Sequence, residues 1–126
     1  MNDAVLGPFP CPCCGHVVFA DAPGSYDICP VCYWEDDIVQ LRWPDLAGGA
    51  NRPSLIEAQE AFTRVGAIEQ RWVSRVRAAR ATEPVDPSWR LFDPTMDSIE
   101  GRVSGLDYGM TYSDDPTAYY YWVERD

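Results

Sequence analysis

The chain has 126 residues, of which 46% are hydrophobic and 13% aromatic, and its formal net charge is −10. This size and composition predict one folded domain, and the lack of any apolar run of 18 residues excludes a transmembrane helix. The acidic balance argues against nucleic acid and anionic membranes as partners and favours a basic protein.

The first ten residues, MNDAVLGPFP, include an aspartate but no basic residue and no apolar run. They therefore lack the features of a secretory signal, and we expect the protein to be cytoplasmic. Thiols stay reduced in the cytoplasm, so clustered cysteines there indicate metal ligands or redox groups before they indicate disulfides.

Two short motifs carry the cysteines: CPCCGH, the first cysteine turn (residues 11–16), and CPVCYW, the second cysteine turn (residues 29–34). Each contains a C-x2-C pair, and fourteen residues separate the two pairs. Tetrahedral Zn²⁺ takes four ligands at about 2.3 Å for sulfur, which two tight turns can supply. The predicted metal ligands are Cys11, Cys14, Cys29 and Cys32.

The residues within the turns support a metal site. Pro12 and Pro30 follow the first cysteine of each pair, where a fixed φ preorganises a turn. Gly15 allows the positive φ that directs backbone N–H groups towards sulfur. Tyr33 stands at the equivalent place in the second cysteine turn, so that turn either has a different backbone or tolerates strain.

Iron is the alternative metal, because four thiolates hold it equally well in a rubredoxin-like electron carrier. Electron carriers consist mostly of their site, whereas over two thirds of this chain lies outside the cysteine motifs, which favours zinc. We expect Cys13 to be a spare thiol facing outward; a competing ligand or half of a vicinal disulfide are alternatives. His16 is expected to be a partly exposed strand residue rather than a ligand.

The segment HVVFADAPGSYDI between the turns predicts a β-hairpin. Its strands would be Val17–Ala20 and Tyr26–Ile28, with a turn around Pro23 and Gly24. A hairpin that joins two thiolate turns is typical of a zinc ribbon, in which the metal replaces a core too small to hold the hairpin alone.

Three adjacent acids, Glu35, Asp36 and Asp37, follow the second cysteine turn. No histidine or second acidic motif at matching spacing accompanies them, so we expect them to be solvated or to cap a helix. The loop LAGGAN, residues 46–51, is expected to be a backbone turn in which two glycines adopt positive φ. It lacks the Lys and Ser/Thr of a phosphate-binding loop.

Ser54 and Glu57 form a capping box, which predicts that a helix begins there. Gly66 interrupts the apolar face that follows, so we predict two helices, with Gly66 as the left-handed C-cap of the first. The arginines of the second half are expected to form a solvated face near a helix C-terminus. The apolar face consists of Ala58, Ala61, Phe62, Val65, Ile68, Trp72, Val76 and Ala79.

Four motifs in order, PCPCCG, GSYDICPVCYWEDD, LAGGAN and SLIEAQEAF, resemble the bacterial cysteine-rich CPCC family over about residues 8–80. The resemblance implies a small metal-binding domain and no settled biochemical activity. Family members often carry a further cysteine where Ile68 stands here, so the resemblance also implies that position 68 contributes no ligand.

After residue 80 the chain changes character, with a linker EPVDP and predicted short strands at Trp89–Phe92, Asp107–Tyr112 and Ala118–Val123. Successive side chains of a strand point to opposite sides, so the last strand would have one face in the core and one face free to contact a partner. Tyr and Trp dominate binding energy at protein interfaces, so the contact face is a candidate partner surface.

Together these features predict an α+β fold with a small zinc-ribbon-like β-hairpin, two helices and a C-terminal β segment. Residues 1–80 would form the metal-binding domain, and residues 81–126 an aromatic and acidic extension packed on it. No nucleophile with a base and no glycine-rich cofactor loop is present, so we expect a non-enzymatic binding module.

The most concrete function is an immunity or antitoxin protein that occludes a basic toxin encoded by an adjacent gene. The alternatives are a rubredoxin-like iron electron carrier and a metal-stabilised adaptor with no toxin partner. The predicted partner-binding residues are Glu35, Asp36, Asp37, Tyr119, Tyr120, Tyr121 and Trp122.

Overall fold

The computed structural model describes residues 8–99 and 118–119. Its elements are strand β1 (Phe9–Pro10), strand β2 (Val17–Phe19), helix α1 (Ile38–Arg42), helix α2 (Leu55–Val65) and a 3₁₀ helix (Gln70–Arg75). This arrangement confirms the predicted α+β class. Within these residues, no helix has both the length and the apolar character that a membrane span needs.

The β-hairpin forms around the first cysteine turn. Strands β1 and β2 pair antiparallel, with Phe9 opposite Phe19 and an irregularity before the next pair. The predicted pairing of Val17–Ala20 with Tyr26–Ile28 is wrong. Ile28 instead forms an isolated antiparallel bridge with Glu35, across the second cysteine turn. Each cysteine turn folds the chain back on itself, so the residues on either side of a turn pair with each other. The backbone of residues 26–27 is used in this way, since Tyr26 N donates to Asp36 O at 3.0 Å and Asp36 N donates to Asp27 O at 2.9 Å.

The two α-helices begin at side-chain caps. Asp37 caps α1, and its Oδ1 accepts hydrogen bonds from Val39 N at 2.8 Å and Gln40 N at 3.4 Å. The capping box of Ser54 and Glu57 at the start of α2 is confirmed.

Gly66 ends α2 with φ of 87°, as the left-handed C-cap that the sequence predicts. The second predicted helix is a six-residue 3₁₀ helix, Gln70–Arg75, rather than an α-helix. No side chain caps its N-terminus, and the backbone is extended again at Val76. An uncapped segment of this length gains too few hydrogen bonds to continue as an α-helix.

The hydrophobic core is built around the cysteines. Trp34 and Leu41 pack there together with Leu55 and Ala58 of α2, and all four are fully buried. Side chains from both cysteine turns and from α2 therefore share one core, and the cysteine sulfurs lie within it.

Residues 83–89 run along the first cysteine turn. Val17 N donates to Pro84 O at 3.0 Å, and His16 forms a bridge with Val85. The predicted strand Trp89–Phe92 is wrong, because Phe92 N donates to the side-chain oxygen of Gln59 instead of joining a ladder. The predicted strand Asp107–Tyr112 and residues 120–123 lie outside the described residues. The predicted boundary at residue 80 stays a prediction.

Candidate metal centre

The four paired cysteines come together in space. The Sγ atoms of Cys11, Cys14, Cys29 and Cys32 all lie within 4.8 Å of one another, and all four residues are buried. The Cys11–Cys32 sulfur distance is 3.6 Å and the Cys14–Cys29 distance is 3.8 Å. A tetrahedron with metal–sulfur bonds of 2.3 Å has edges of about 3.8 Å. The sulfurs therefore fit a tetrahedral Zn²⁺ or iron ion.

The two cysteine turns have the same backbone. Gly15 N donates to Cys11 O at 2.7 Å, and Tyr33 N donates to Cys29 O at 2.8 Å. Gly15 and Tyr33 both have φ of 79°. The second cysteine turn thus tolerates a left-handed tyrosine, the strained one of the two alternatives that the sequence left open.

The C-terminal extension and α2 support the first cysteine turn. Pro12 O accepts hydrogen bonds from Gln59 Nε2 at 3.0 Å and from Trp89 Nε1 at 2.9 Å. Asp86 N donates to Gly15 O at 2.9 Å. A Cβ atom at Gly15 would lie 2.3 Å from Trp89 Cε3, so the indole packs where only glycine leaves room.

The segment that follows α2 supports the second cysteine turn. Ile68 N donates to Cys32 O at 2.9 Å, and Arg77 N donates to Pro30 O at 3.0 Å. Two parts of the chain, residues 68–77 and 83–89, therefore hold the two turns separately. Sequence analysis missed these supports, because they join residues far apart in the chain and several of them use backbone groups that any residue supplies.

The electrostatics of the cluster favour a bound cation. Burial raises the pKa of the Cys11 and Cys32 thiols. The pKa of Cys29 is lowered, chiefly because the Cys11 and Cys14 thiols donate hydrogen bonds to its sulfur. Val31 N also donates to that sulfur, at 3.3 Å. Ionising all four buried thiols requires a compensating positive charge, and a metal ion that displaces the protons supplies it.

Cys13 is fully buried, so the prediction that it faces outward is wrong. Its side chain belongs to the core cluster that contains the four paired cysteines, and burial raises the pKa of its thiol. All five cysteines are free thiols, which argues against the vicinal disulfide. The physical reason for the burial is that Gln59 and Trp89 both reach over Pro12, so the rest of the chain covers the first cysteine turn.

His16 lies outside the sulfur cluster. Its Nδ1 makes a 2.7 Å hydrogen bond with Glu83 O, and the residue is half-buried in the segment leading into β2. This placement agrees with the expectation that His16 is a strand residue.

Two of the three adjacent acids point into the protein. Asp36 is 1% exposed, and its Oδ2 accepts hydrogen bonds from Ser25 Oγ at 2.8 Å and from the backbone N atoms of Gly24 and Ser25 at 3.2 Å. Burial raises the pKa of the Asp36 carboxyl. The expectation that Asp36 is solvated is therefore wrong. Asp37 is 4% exposed and caps α1, the second of the two expected roles.

Burial of Asp36 and Asp37 also bears on the predicted partner surface. Neither carboxylate lies on the surface where a partner would meet it, because both are used to hold loops in place. Glu35 is half-buried. Of the three acids, Glu35 is the one left for the predicted contact.

Polar side chains that the sequence analysis did not single out fix the loop of residues 46–51. The side-chain amide of Asn51 makes two hydrogen bonds with the backbone of Glu35, like those that a neighbouring β-strand would make. Asn51 Oδ1 accepts from Glu35 N and Asn51 Nδ2 donates to Glu35 O, both at 2.8 Å. Gln40 Nε2 donates to Leu46 O at 2.9 Å, and Gln40 Oε1 accepts from Asn51 N at 3.0 Å. An amide side chain between two apolar neighbours in a short helix, as Gln40 is, is the sequence signal that points to such a bond.

The two glycines of that loop have different roles. Gly48 has φ of 81°, as expected for a backbone turn. Gly49 does not have a positive φ, so this part of the expectation is wrong. Gly49 is required for space, because a Cβ atom there would lie 2.7 Å from Asp37 Oδ2. The loop is held by Ala50 N, which donates to the same carboxylate oxygen at 2.9 Å.

Tyr119 is fully buried and belongs to the core. Its hydroxyl donates to Arg90 O and accepts from Gln59 Nε2, the latter at 2.8 Å. Its ring meets Phe92 edge-on, with centroids 5.3 Å apart. Tyr119 therefore lies on a core face, while the other predicted contacts, Tyr120, Tyr121 and Trp122, lie outside the described residues.

Comparison with known proteins adds one finding. A family model described as "Cysteine-rich CPCC" matches residues 9–83, which is more than half of the chain. The match includes both cysteine turns, both α-helices and the 3₁₀ helix. A search of curated proteins gives no match.

Proposed function

The chain belongs to the cysteine-rich CPCC family, and we propose that its four clustered cysteines hold one structural Zn²⁺ ion. The observation that carries this proposal is the buried set of sulfurs at tetrahedral ligand spacing. In such a closed site the metal has no position open to water or substrate, so it stabilises the fold. Strands of two and three residues are too short to persist without such a staple.

Zinc is favoured over iron by the burial of the site. The four paired cysteines are 0 to 4% exposed. An electron carrier passes its electron to a partner through an exposed edge of the metal site, whereas a structural ion needs no such edge. The protein expressed with both metals available is expected to be colourless and to contain about one zinc per chain. A strong visible band from bound iron would replace this proposal with the electron carrier.

We further propose that the metal-stabilised module binds a basic protein, most concretely as a bacterial immunity protein that occludes a toxin. Support comes from charge. Residues 1–51 contain seven acids and one arginine, and this arginine, Arg42, is 1% exposed. Four thiolates and one Zn²⁺ together carry −2, so the loaded protein has a charge near −12. Association with a basic surface is then fast at low salt and slower at high salt.

The surface next to the second cysteine turn is the best candidate for this contact. Tyr26 and Ile28 are 48% and 47% exposed, and the acidic Asp27 lies between them. Glu35 is adjacent, since it forms the bridge with Ile28. Large apolar side chains beside carboxylates suit a basic protein partner, because the apolar groups supply contact area and the charges steer association.

The test is co-purification with the product of the adjacent gene at low and high salt, followed by a toxicity assay in cells with and without this protein. The double variant Asp27→Asn, Glu35→Gln is expected to lower the association rate. Glu60→Gln, which removes an exposed acid on α2, is the control. If the neighbouring product is neither toxic nor bound, the immunity proposal fails and the metal-stabilised adaptor replaces it.

A further inference from the structure

Tyr33 has a backbone conformation that its side chain disfavours. Its φ of 79° lies in the left-handed region, where a residue with a Cβ is strained and glycine is not. The equivalent residue of the first cysteine turn, Gly15, has the same φ without this cost. Some contact of the tyrosine ring must therefore offset the strain.

The ring of Tyr33 stacks on Trp72 of the 3₁₀ helix, with centroids 4.4 Å apart and planes 22° from parallel. Trp72 is itself held in place. The guanidinium of Arg71 lies over its ring, 4.4 Å from the centroid. Glu69 Oε1 accepts hydrogen bonds from Trp72 Nε1 and from Arg71 Nε, both at 3.1 Å. The Trp72 ring is therefore already held in the position in which it stacks on the Tyr33 ring.

The same segment also holds the backbone of the second cysteine turn on both sides of the stack. The Ile68 N–H reaches Cys32 O, and the Arg77 N–H reaches Pro30 O. The 3₁₀ helix lies between these two bonds in sequence. Its docking and the closed form of the turn therefore depend on each other.

We propose that Trp72 is a positioning residue of the metal centre, which acts through Tyr33. By stacking on Tyr33 it stabilises the left-handed turn that keeps Cys29 and Cys32 at ligand spacing. The proposal rests on the metal binding proposed above. It assigns the 3₁₀ helix a role in retaining the metal.

The test measures the rate at which Zn²⁺ passes from the loaded protein to an excess of a chromogenic chelator, well below the unfolding temperature. Trp72→Leu is expected to speed release about tenfold, the size of effect that one aromatic stack supports. Trp72→Phe keeps a ring and should restore most of the wild-type rate. Val73→Ala changes the next residue of the same helix, which is 38% exposed, and serves as the matched control.

Variants of Tyr33 test whether Trp72 slows zinc release through Tyr33 or only by stabilising the fold. Tyr33→Gly removes both the stack and the strain, so Trp72→Leu should have no further effect on release in that background. Tyr33→Ala loses the stack but keeps the strain, and it should release zinc faster than Tyr33→Gly. This pair of variants keeps the test valid if Trp72→Leu fails to fold.

The outcomes distinguish the two proposals. A wild-type protein that holds no metal overturns the proposed function itself. A wild-type protein that holds zinc, with Trp72→Leu releasing it at the wild-type rate, overturns only the positioning role. The positioning role is also overturned if Trp72→Leu speeds release equally in the Tyr33→Gly background, or if Tyr33→Ala and Tyr33→Gly release zinc at equal rates.

Discussion

Gly15→Ala is expected to damage the first cysteine turn in two separate ways. The added methyl group puts a Cβ on a residue whose φ is 79°. It also lies 2.3 to 2.7 Å from three ring atoms of Trp89, closer than atoms can approach without movement. The indole must move, and it then loses its hydrogen bond to Pro12 O.

The strained backbone and the displaced indole each lower the free energy of unfolding by an amount that can be estimated. The left-handed conformation costs a residue with a Cβ about 1 to 2 kcal/mol. Loss of the indole hydrogen bond costs about 1 kcal/mol, and partial loss of the packing of the ring costs about 1 kcal/mol more. We expect Gly15→Ala to lower the free energy of unfolding by about 3 to 4 kcal/mol.

Denaturant unfolding in excess zinc measures this loss, and the Trp89→Ala background separates its parts. Without the indole, Gly15→Ala should cost only the backbone contribution, about 1 to 2 kcal/mol. A cost below about 1 kcal/mol in the wild-type background would refute the left-handed turn. An equal cost in both backgrounds would refute the contact between Trp89 and Gly15.

Three further predictions concern the parts of the chain around the site. Gln59→Leu leaves Pro12 O and the Tyr119 hydroxyl each without one buried donor, and should cost about 2 to 4 kcal/mol in denaturant unfolding; the same loss at an exposed control such as Glu60→Leu would contradict this role. Asp37→Ala removes the cap of α1, which should cost about 1 to 2 kcal/mol, and also the acceptor for Ala50 N, which should add about 1 kcal/mol. Asp37→Asn keeps an oxygen that can cap the helix and should lose less stability; equal losses in both variants would show that the cap is unimportant. Zinc retention should be complete at pH 8 and fall as pH falls, because burial raises the pKa of Cys11 and protons compete with the metal for its sulfur; zinc content that does not change between pH 8 and pH 4 would exclude thiolate ligands.

Features that depend on neighbouring residues in sequence could be predicted. The spacing of Cys11, Cys14, Cys29 and Cys32 identified the set that the structure brings together, because a C-x2-C turn closes within itself. The capping box and the Gly66 C-cap were predictable for the same reason.

Features that depend on distant contacts could not be predicted. The first cysteine turn, in which Cys13 is buried, is held by Gln59 and Trp89 through Pro12 O, and both residues lie far along the chain. Asp36 is buried against donors in the preceding loop. The sequence shows Tyr33 at a position where glycine would be easiest, but the ring that compensates for this, Trp72, lies in the 3₁₀ helix 39 positions later in the chain. An apolar spacing had placed Trp72 on a helix face without indicating which ring it meets.

X-ray absorption at the zinc edge of the purified protein tests the central claim most directly, since it counts the atoms bound to the metal and identifies them. The account predicts four sulfur neighbours at about 2.3 Å in the wild type and the same four in Cys13→Ser. Cys11→Ser should lose a sulfur neighbour or the metal. A nitrogen neighbour in the wild type, or loss of a sulfur in Cys13→Ser with none lost in Cys11→Ser, would contradict the ligand assignment.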